Sequence, residues 1–110
     1  MATPKISVIV PIYNVEECLA WCLDSLLAQD MPDWEGVLVN DGSPDGSRDI
    51  AVAYCKKDTR FTLVDKPNGG LSSARNAGIA ASTASIVAFL DSDDRFTPDA
   101  CRVIVGAFER

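Results

Sequence analysis

Apolar residues in this chain fall into two patterns that alternate from end to end. Ile6-Ser7-Val8-Ile9-Val10 is a β-branched run closed by Pro11, as suits a central parallel strand opening into a loop. From Glu16 to Gln29 the spacing becomes helical: Leu19, Leu23, Leu26 and Leu27 recur with Trp21 and Cys22 beside them, which predicts a helix with one buried face. Gly36 to Val39 reads as a second buried strand. The turn-forming octet Asn40 to Ser47 follows it, and then a helix from Ser47 to Lys57 that should bury Ile50, Ala53 and Tyr54. Phe61 to Val64 predicts a third strand, Ser72 to Ala81 a third helix, Ile86 to Leu90 a short buried strand, and Pro98 to Phe108 a last helix. The third helix has an inner face of Ala74, Ala77, Gly78 and Ala81, small enough for its backbone to lie close to a neighbour.

Four strands alternating with four helices predict a layered α/β sheet with right-handed crossovers, in which ligands bind outside the carboxyl ends of the strands. The loops expected at those ends carry Tyr13-Asn14, Asp41-Gly42-Ser43, Asn68-Gly69-Gly70 and Asp91-Ser92-Asp93. Four such loops along one edge point to a ligand site rather than to four unrelated turns.

The densest chemistry is in the last of these, where Asp91, Asp93 and Asp94 fall within four residues. Two like charges about 4 Å apart repel by roughly 4 kcal/mol at an effective dielectric near 20, and a divalent cation would relieve that repulsion. The alternative is a solvated acidic turn leading into the helix that starts at Thr97-Pro98-Asp99.

Composition narrows the function classes. The chain has 110 residues, enough for one domain, and is 47% apolar, with no apolar run near the ~20 residues of a membrane-spanning helix. The N-terminus has none of the regions of a secretory leader, so a cytoplasmic location is expected. A net charge of −6 disfavours nucleic acid as a partner and favours a ligand bound with the help of a cation. With no histidine, Ser-His-Asp and Cys-His nucleophile systems are excluded. Of the four cysteines, Cys18 and Cys22 lie one helical turn apart, but no second pair completes a zinc site, and small core residues are the expectation.

Two motif readings fail on the residues. A dinucleotide-binding Gly-x-Gly-x-x-Gly would follow the first strand, where Pro11-Ile12-Tyr13-Asn14-Val15-Glu16 stands instead. Asp41 to Gly46 resembles the start of an EF-hand loop, but the twelfth place, which needs a bidentate Glu, is Val52. Turn and capping duty before the second helix is the plain alternative for Asp41.

Four segments in order, Ile6 to Asn14, Val39 to Ser47, Asn68 to Gly78 and Phe89 to Asp94, together resemble the signature of family 2 glycosyltransferases across essentially all of residues 1–110. The resemblance implies a GT-A fold: a Rossmann-like, three-layer α/β nucleotide-binding half with a mainly parallel sheet in strand order 3-2-1-4. It also implies inverting transfer of a sugar from a nucleotide-diphosphate sugar, most often a UDP-sugar, to a glycan or lipid-linked acceptor, with Mg²⁺ or Mn²⁺ as cofactor. On matching positions, Pro11 and Tyr13 would pack against the base, Asp41 would accept a hydrogen bond from uracil, and Arg75 would help hold base and diphosphate. Asp91 would lie near ribose and metal, and Asp93 would be the principal metal ligand, with Asp94 supporting them. In the family the acceptor half and the catalytic base follow the Asp-x-Asp motif, so both are expected beyond Arg110, as is any peripheral membrane association. The alternative is a non-catalytic nucleotide-sugar-binding module, a truncated pseudoenzyme.

Overall fold

Strand β1 (Ile6–Ile12) lies at the centre of the molecule and is buried along its whole length. In the computed structural model, which describes residues 3–109, it pairs in parallel with β2 (Trp34–Asp41) on one side and β4 (Ile86–Phe89) on the other. Strand β3 (Phe61–Lys66) pairs in parallel with the far side of β2, giving the order 3-2-1-4. Helices α1 (Leu19–Leu27), α2 (Ser47–Lys57), α3 (Leu71–Ala81) and α4 (Ala100–Phe108) make the connections and the end of the chain.

Alternation along the strands divides the core between the two faces of the sheet. Ile6, Val8, Val10 and Ile12 of β1 and Leu38 of β2 point into a large cluster with Leu19, Leu23 and Leu26 of α1, Ala51 of α2, and Cys101 and Val105 of α4. Ile9, Val37 and Val39 point the other way and meet Ala74 of α3. This second layer is thin because α3 has little to pack with except its backbone. A Cβ on Gly78 would collide with Ile9 Cγ2 and come within 3.2 Å of Val39 Cγ2, so the small residues read from the sequence do bring α3 onto the sheet.

Several expectations are corrected. Helix α1 starts at Leu19 rather than Glu16 and ends at Leu27. The preceding segment is instead a turn, with Asn14 at φ 56° and the N–H groups of Asn14, Val15 and Glu16 donating to Ser43 Oγ, Ser47 Oγ and an Asp45 carboxylate oxygen. Those bonds tie this turn to the β2–α2 loop. Strand β4 is an edge strand and not a buried one: Ile86, Val87 and Ala88 are half-buried, Phe89 is 43% exposed, and only the following Leu90 reaches the core. Ala53 and Ala81 face solvent, since the buried stripes of α2 and α3 run through Ser47 and Ala51 and through Ala74 and Gly78. Helix α4 begins at Ala100, two residues after Pro98.

The segment 91–99 is braced from α1. Ser25 Oγ accepts the Phe96 N–H; Gln29 donates through Nε2 to Thr97 O and accepts the Cys101 N–H at Oε1; Asp30 N–H donates to Pro98 O. Among the described residues no helix is long and apolar enough to cross a membrane.

Candidate functional site

All four strands end on the same edge, and a cavity of about 510 Å³ opens there. Its walls are Pro11 and Ile12 at the end of β1, Tyr13 and Val15 after it, Asp41 at the end of β2, Asn68 and Gly70 after β3, Leu71 and Ala74 of α3, and Asp91, Ser92 and Asp93 after β4. That volume falls within the usual range for small-molecule sites, and the wall is mostly apolar with a few polar groups. Pro11, Tyr13, Asp41, Asp91 and Asp93 thus converge from loops far apart in the chain.

Asp41 is only 4% exposed and is held from several sides. Lys66 Nζ donates to Oδ1 at 2.8 Å, the Gly69 N–H donates to Oδ1 at 2.9 Å and the Gly70 N–H to Oδ2 at 3.0 Å. Asn68 Nδ2 donates to the Asp41 carbonyl. Burial pushes the Asp41 carboxyl up; the Lys66 ammonium and the two glycine N–H groups outweigh it and keep it below the usual carboxylate range. Gly42 makes this wrap possible: it sits at φ +69°, and a Cβ there would lie 2.8 Å from Asn68 N. Asp41 therefore anchors the loop after β3. At the start of α2 the Ser47 N–H donates to Asp45 Oδ1 instead, and among the described residues Asp41 and Asp45 belong to no group of three or more carboxylates placed to share a metal ion.

Across the cavity, Asp91, Asp93 and Asp94 are exposed, and one carboxylate oxygen from each lies within 4.8 Å of the others. The turn that gathers them is closed by the Asp94 N–H donating to Asp91 O. Donors of this kind fit a hard divalent cation that takes a few carboxylate oxygens and completes its shell with phosphate and water. The cluster does not serve as a helix cap, since α4 starts at Ala100 after Asp99.

Arg75 is not among the residues lining the cavity. Its Nη2 donates to Asp91 Oδ1 at 3.3 Å, its guanidinium lies 5.3 Å from the Phe89 ring centroid, and its buried Nε has no partner. Below the acidic loop, Cys22 Sγ approaches Asp91 O, and its thiol is pushed up to about 12, first by burial and then by the Cys18 thiol and the carboxylates of Asp94, Asp93 and Asp91. A thiol held neutral in this way is neither a metal ligand nor a nucleophile. All four cysteines are free.

The sequence reading did not single out Lys66, Leu71 or Ser92. Ser92 is buried between the two aspartates, and Leu71 is an exposed apolar residue on the cavity wall. The signal for Lys66 was its place at the end of a strand, next to the Pro-Asn-Gly-Gly loop.

The comparisons with known proteins agree with this geometry. A sequence profile described as glycosyl transferase family 2 matches residues 7–110. An uncharacterized glycosyltransferase of Bacillus subtilis (strain 168), EpsJ, is 52% identical over 91 residues, covering 83% of this chain and 26% of that protein. Among solved structures, S. aureus TarS 1-349 in complex with UDP-GlcNAc is 32% identical with a TM-score of 0.88, covering 96% of this chain and 31% of that one. The mannosyltransferase PcManGT from Pyrobaculum calidifontis, in complex with GDP-Man and Mn²⁺, is 27% identical with a TM-score of 0.82, covering 96% of this chain and 32% of that one. The chain thus spans about a quarter to a third of the length of these relatives. With the profile matching nearly its whole length and its four parallel strands in the 3-2-1-4 order of a GT-A nucleotide-binding half, the chain belongs to glycosyl transferase family 2.

Proposed function

We propose that this chain is the donor-binding half of an inverting glycosyltransferase that takes a sugar from a UDP-sugar, with Mg²⁺ or Mn²⁺, and passes it to a glycan or lipid-linked acceptor. The observation that carries the reading is that one cavity on the strand-end edge has a buried, ionised carboxylate at one wall and the acidic cluster at another. A nucleotide-diphosphate sugar needs both features, hydrogen-bond recognition of its base and charge compensation of its diphosphate. Pro11 and the half-exposed Tyr13 offer apolar surface for the base, and Asp41 offers an acceptor. Asp93 and Asp91 would hold the cation, which when bound offsets charge on the departing diphosphate. Arg75 is paired with Asp91 through Nη2 and its side chain is part-exposed beside the acidic cluster, so its outer N–H groups have donor capacity for phosphate. Both solved relatives named above carry nucleotide-sugars, one of them with Mn²⁺. A cytoplasmic location is part of the proposal, and four free thiols fit a reducing compartment.

The test is calorimetric titration of UDP with Mn²⁺ and with chelator, on the wild type and on Asp93→Ala. Metal-dependent binding that falls by tenfold or more in the variant is expected. Equal affinity in all four titrations would remove the metal and Asp93 from the reading.

A further inference from the structure

Lys66 ends β3 directly beside Asp41 at the end of β2, in the register that pairs these two residues. It does not line the cavity. Its ammonium is mostly buried and is spent on two acceptors, Asp41 Oδ1 at 2.8 Å and Pro67 O at 2.7 Å. An ionised carboxylate offers about four acceptor sites, two on each oxygen. Lys66 and the Gly69 N–H fill both on Oδ1, the Gly70 N–H fills one on Oδ2, and one remains.

A base meeting this carboxylate therefore finds a single acceptor with donors crowded around the other oxygen. Uracil presents one N–H, at N3, between two carbonyl oxygens, and matches that arrangement. Guanine presents two adjacent donors, N1–H and the N2 amine, and needs both carboxylate oxygens side by side. Cytosine presents an unprotonated N3, an acceptor facing an acceptor. We propose that Lys66 is a positioning residue for base choice: by occupying Asp41 Oδ1 it leaves one free acceptor on Oδ2, which selects uracil over guanine. The inference rests on the nucleotide-sugar reading above and deepens it. Lys66 is the one side chain among the three donors to the carboxylate, the other two being backbone, so it is the one that substitution can change.

The charged and titratable groups facing Asp41 are Lys66 from β3 and, across the cavity, Tyr13, Asp91 and Asp93; β1 and α3 present Pro11, Ile12, Leu71 and Ala74, which do not titrate. Loss of the ammonium alone should therefore move the protonation of Asp41 toward higher pH.

UDP and GDP are titrated by calorimetry into the full chain with Mn²⁺, so that the shared diphosphate and metal contributions cancel in the ratio, across pH from about 7 to about 4. The proteins are the wild type, Lys66→Met and Lys66→Gln. The wild type is expected to prefer UDP by at least tenfold; Lys66→Met should shrink the preference by roughly tenfold, the worth of one hydrogen bond to a charged group, and raise the acid limb of UDP binding. Lys66→Gln keeps an N–H for Oδ1 without the charge, so it should keep the preference while still raising the acid limb. If Lys66→Met does not fold, Lys66→Ala, which also removes the donor, takes its place. Equal wild-type affinity for UDP and GDP overturns the proposal, and so does a folded Met or Ala variant that keeps the wild-type preference. Failure of the wild type to bind either nucleotide instead overturns the nucleotide-sugar reading itself.

Discussion

Asp41 shows how much one residue can carry here. It is buried, ionised, and tied to the next strand and loop by a lysine and two backbone N–H groups. A carboxyl whose folded value is depressed contributes stability that is present above its unfolded value, near 3.9, and is lost as pH falls through the folded value. Asp41→Asn would set an amide N–H₂ or a neutral oxygen against Lys66, leaving a largely buried ammonium unpaired. The expected cost is about 3 kcal/mol at neutral pH. Below about pH 4 the difference from the wild type should narrow, because the wild type is losing the same interaction. Urea unfolding at several pH values measures both. Asp58 beside Arg60 and Asp65 beside Arg48 and Asn40 are also held low, so some acid sensitivity must persist in the variant. An unchanged gap between the two proteins from neutral to acid pH would show that the Asp41 charge does not stabilise the fold.

Among the elements, α3 depends most on close approach. Its inner face carries Ala74 and Gly78 against Ile9 and Val39, and α3 alone covers the cluster on that face of the sheet. Gly78→Val would put two methyl groups where a single Cβ already collides with Ile9. Overpacking of this kind typically costs about 1–3 kcal/mol, and the way out is for α3 to lift from the sheet. Because Leu71 and Ala74 of α3 form part of the cavity wall, nucleotide affinity should fall along with the melting temperature. Thermal unfolding and UDP titration on the same preparation check this pairing; a variant that melts lower but binds as the wild type does would mean that the cavity wall is independent of how α3 is seated.

At the scale of the whole molecule, the question is what the described residues lack. Inverting transfer needs the acceptor oxygen in line with the anomeric carbon and a base within about 2.6–3.2 Å of its proton. Three carboxylates line the cavity among the described residues: Asp41 anchors the loop after β3 and, in the proposed reading, meets the base, and in that reading Asp91 and Asp93 hold the cation. The 110-residue chain tested alone is therefore expected to bind a UDP-sugar and to transfer its sugar at least 100-fold more slowly than a longer form, since misplacement alone can cost that much. Radiolabelled sugar transfer to glycan and lipid-linked acceptors, with donor hydrolysis as control, measures it. Matching turnover by the two forms would place the base within these residues. Val103 and Phe108 of α4, 55% and 69% exposed, make association of the short chain a further expectation, since exposed apolar surface of this kind promotes it.

The order of strands and helices, the edge on which the four loops gather and the acidic cluster after β4 were legible in the sequence, because they follow from local periodicity and from which loops follow strands. Pro11, Tyr13, Asp41, Asp91 and Asp93 could be named before any coordinates, and they meet at one cavity. Only the tertiary structure decided the rest. Periodicity does not reveal that the N–H groups of Asn14, Val15 and Glu16, ahead of α1, donate to Ser43, Ser47 and Asp45. An apolar run does not distinguish a central strand from an edge strand, so β4 reads as buried although Phe89 lies open. Lys66 looks like an ordinary surface lysine until the register of β3 on β2 sets it beside Asp41. Burial and hydrogen bonding between strands distant in the chain are long-range properties, and they determine which donors that carboxylate already accepts.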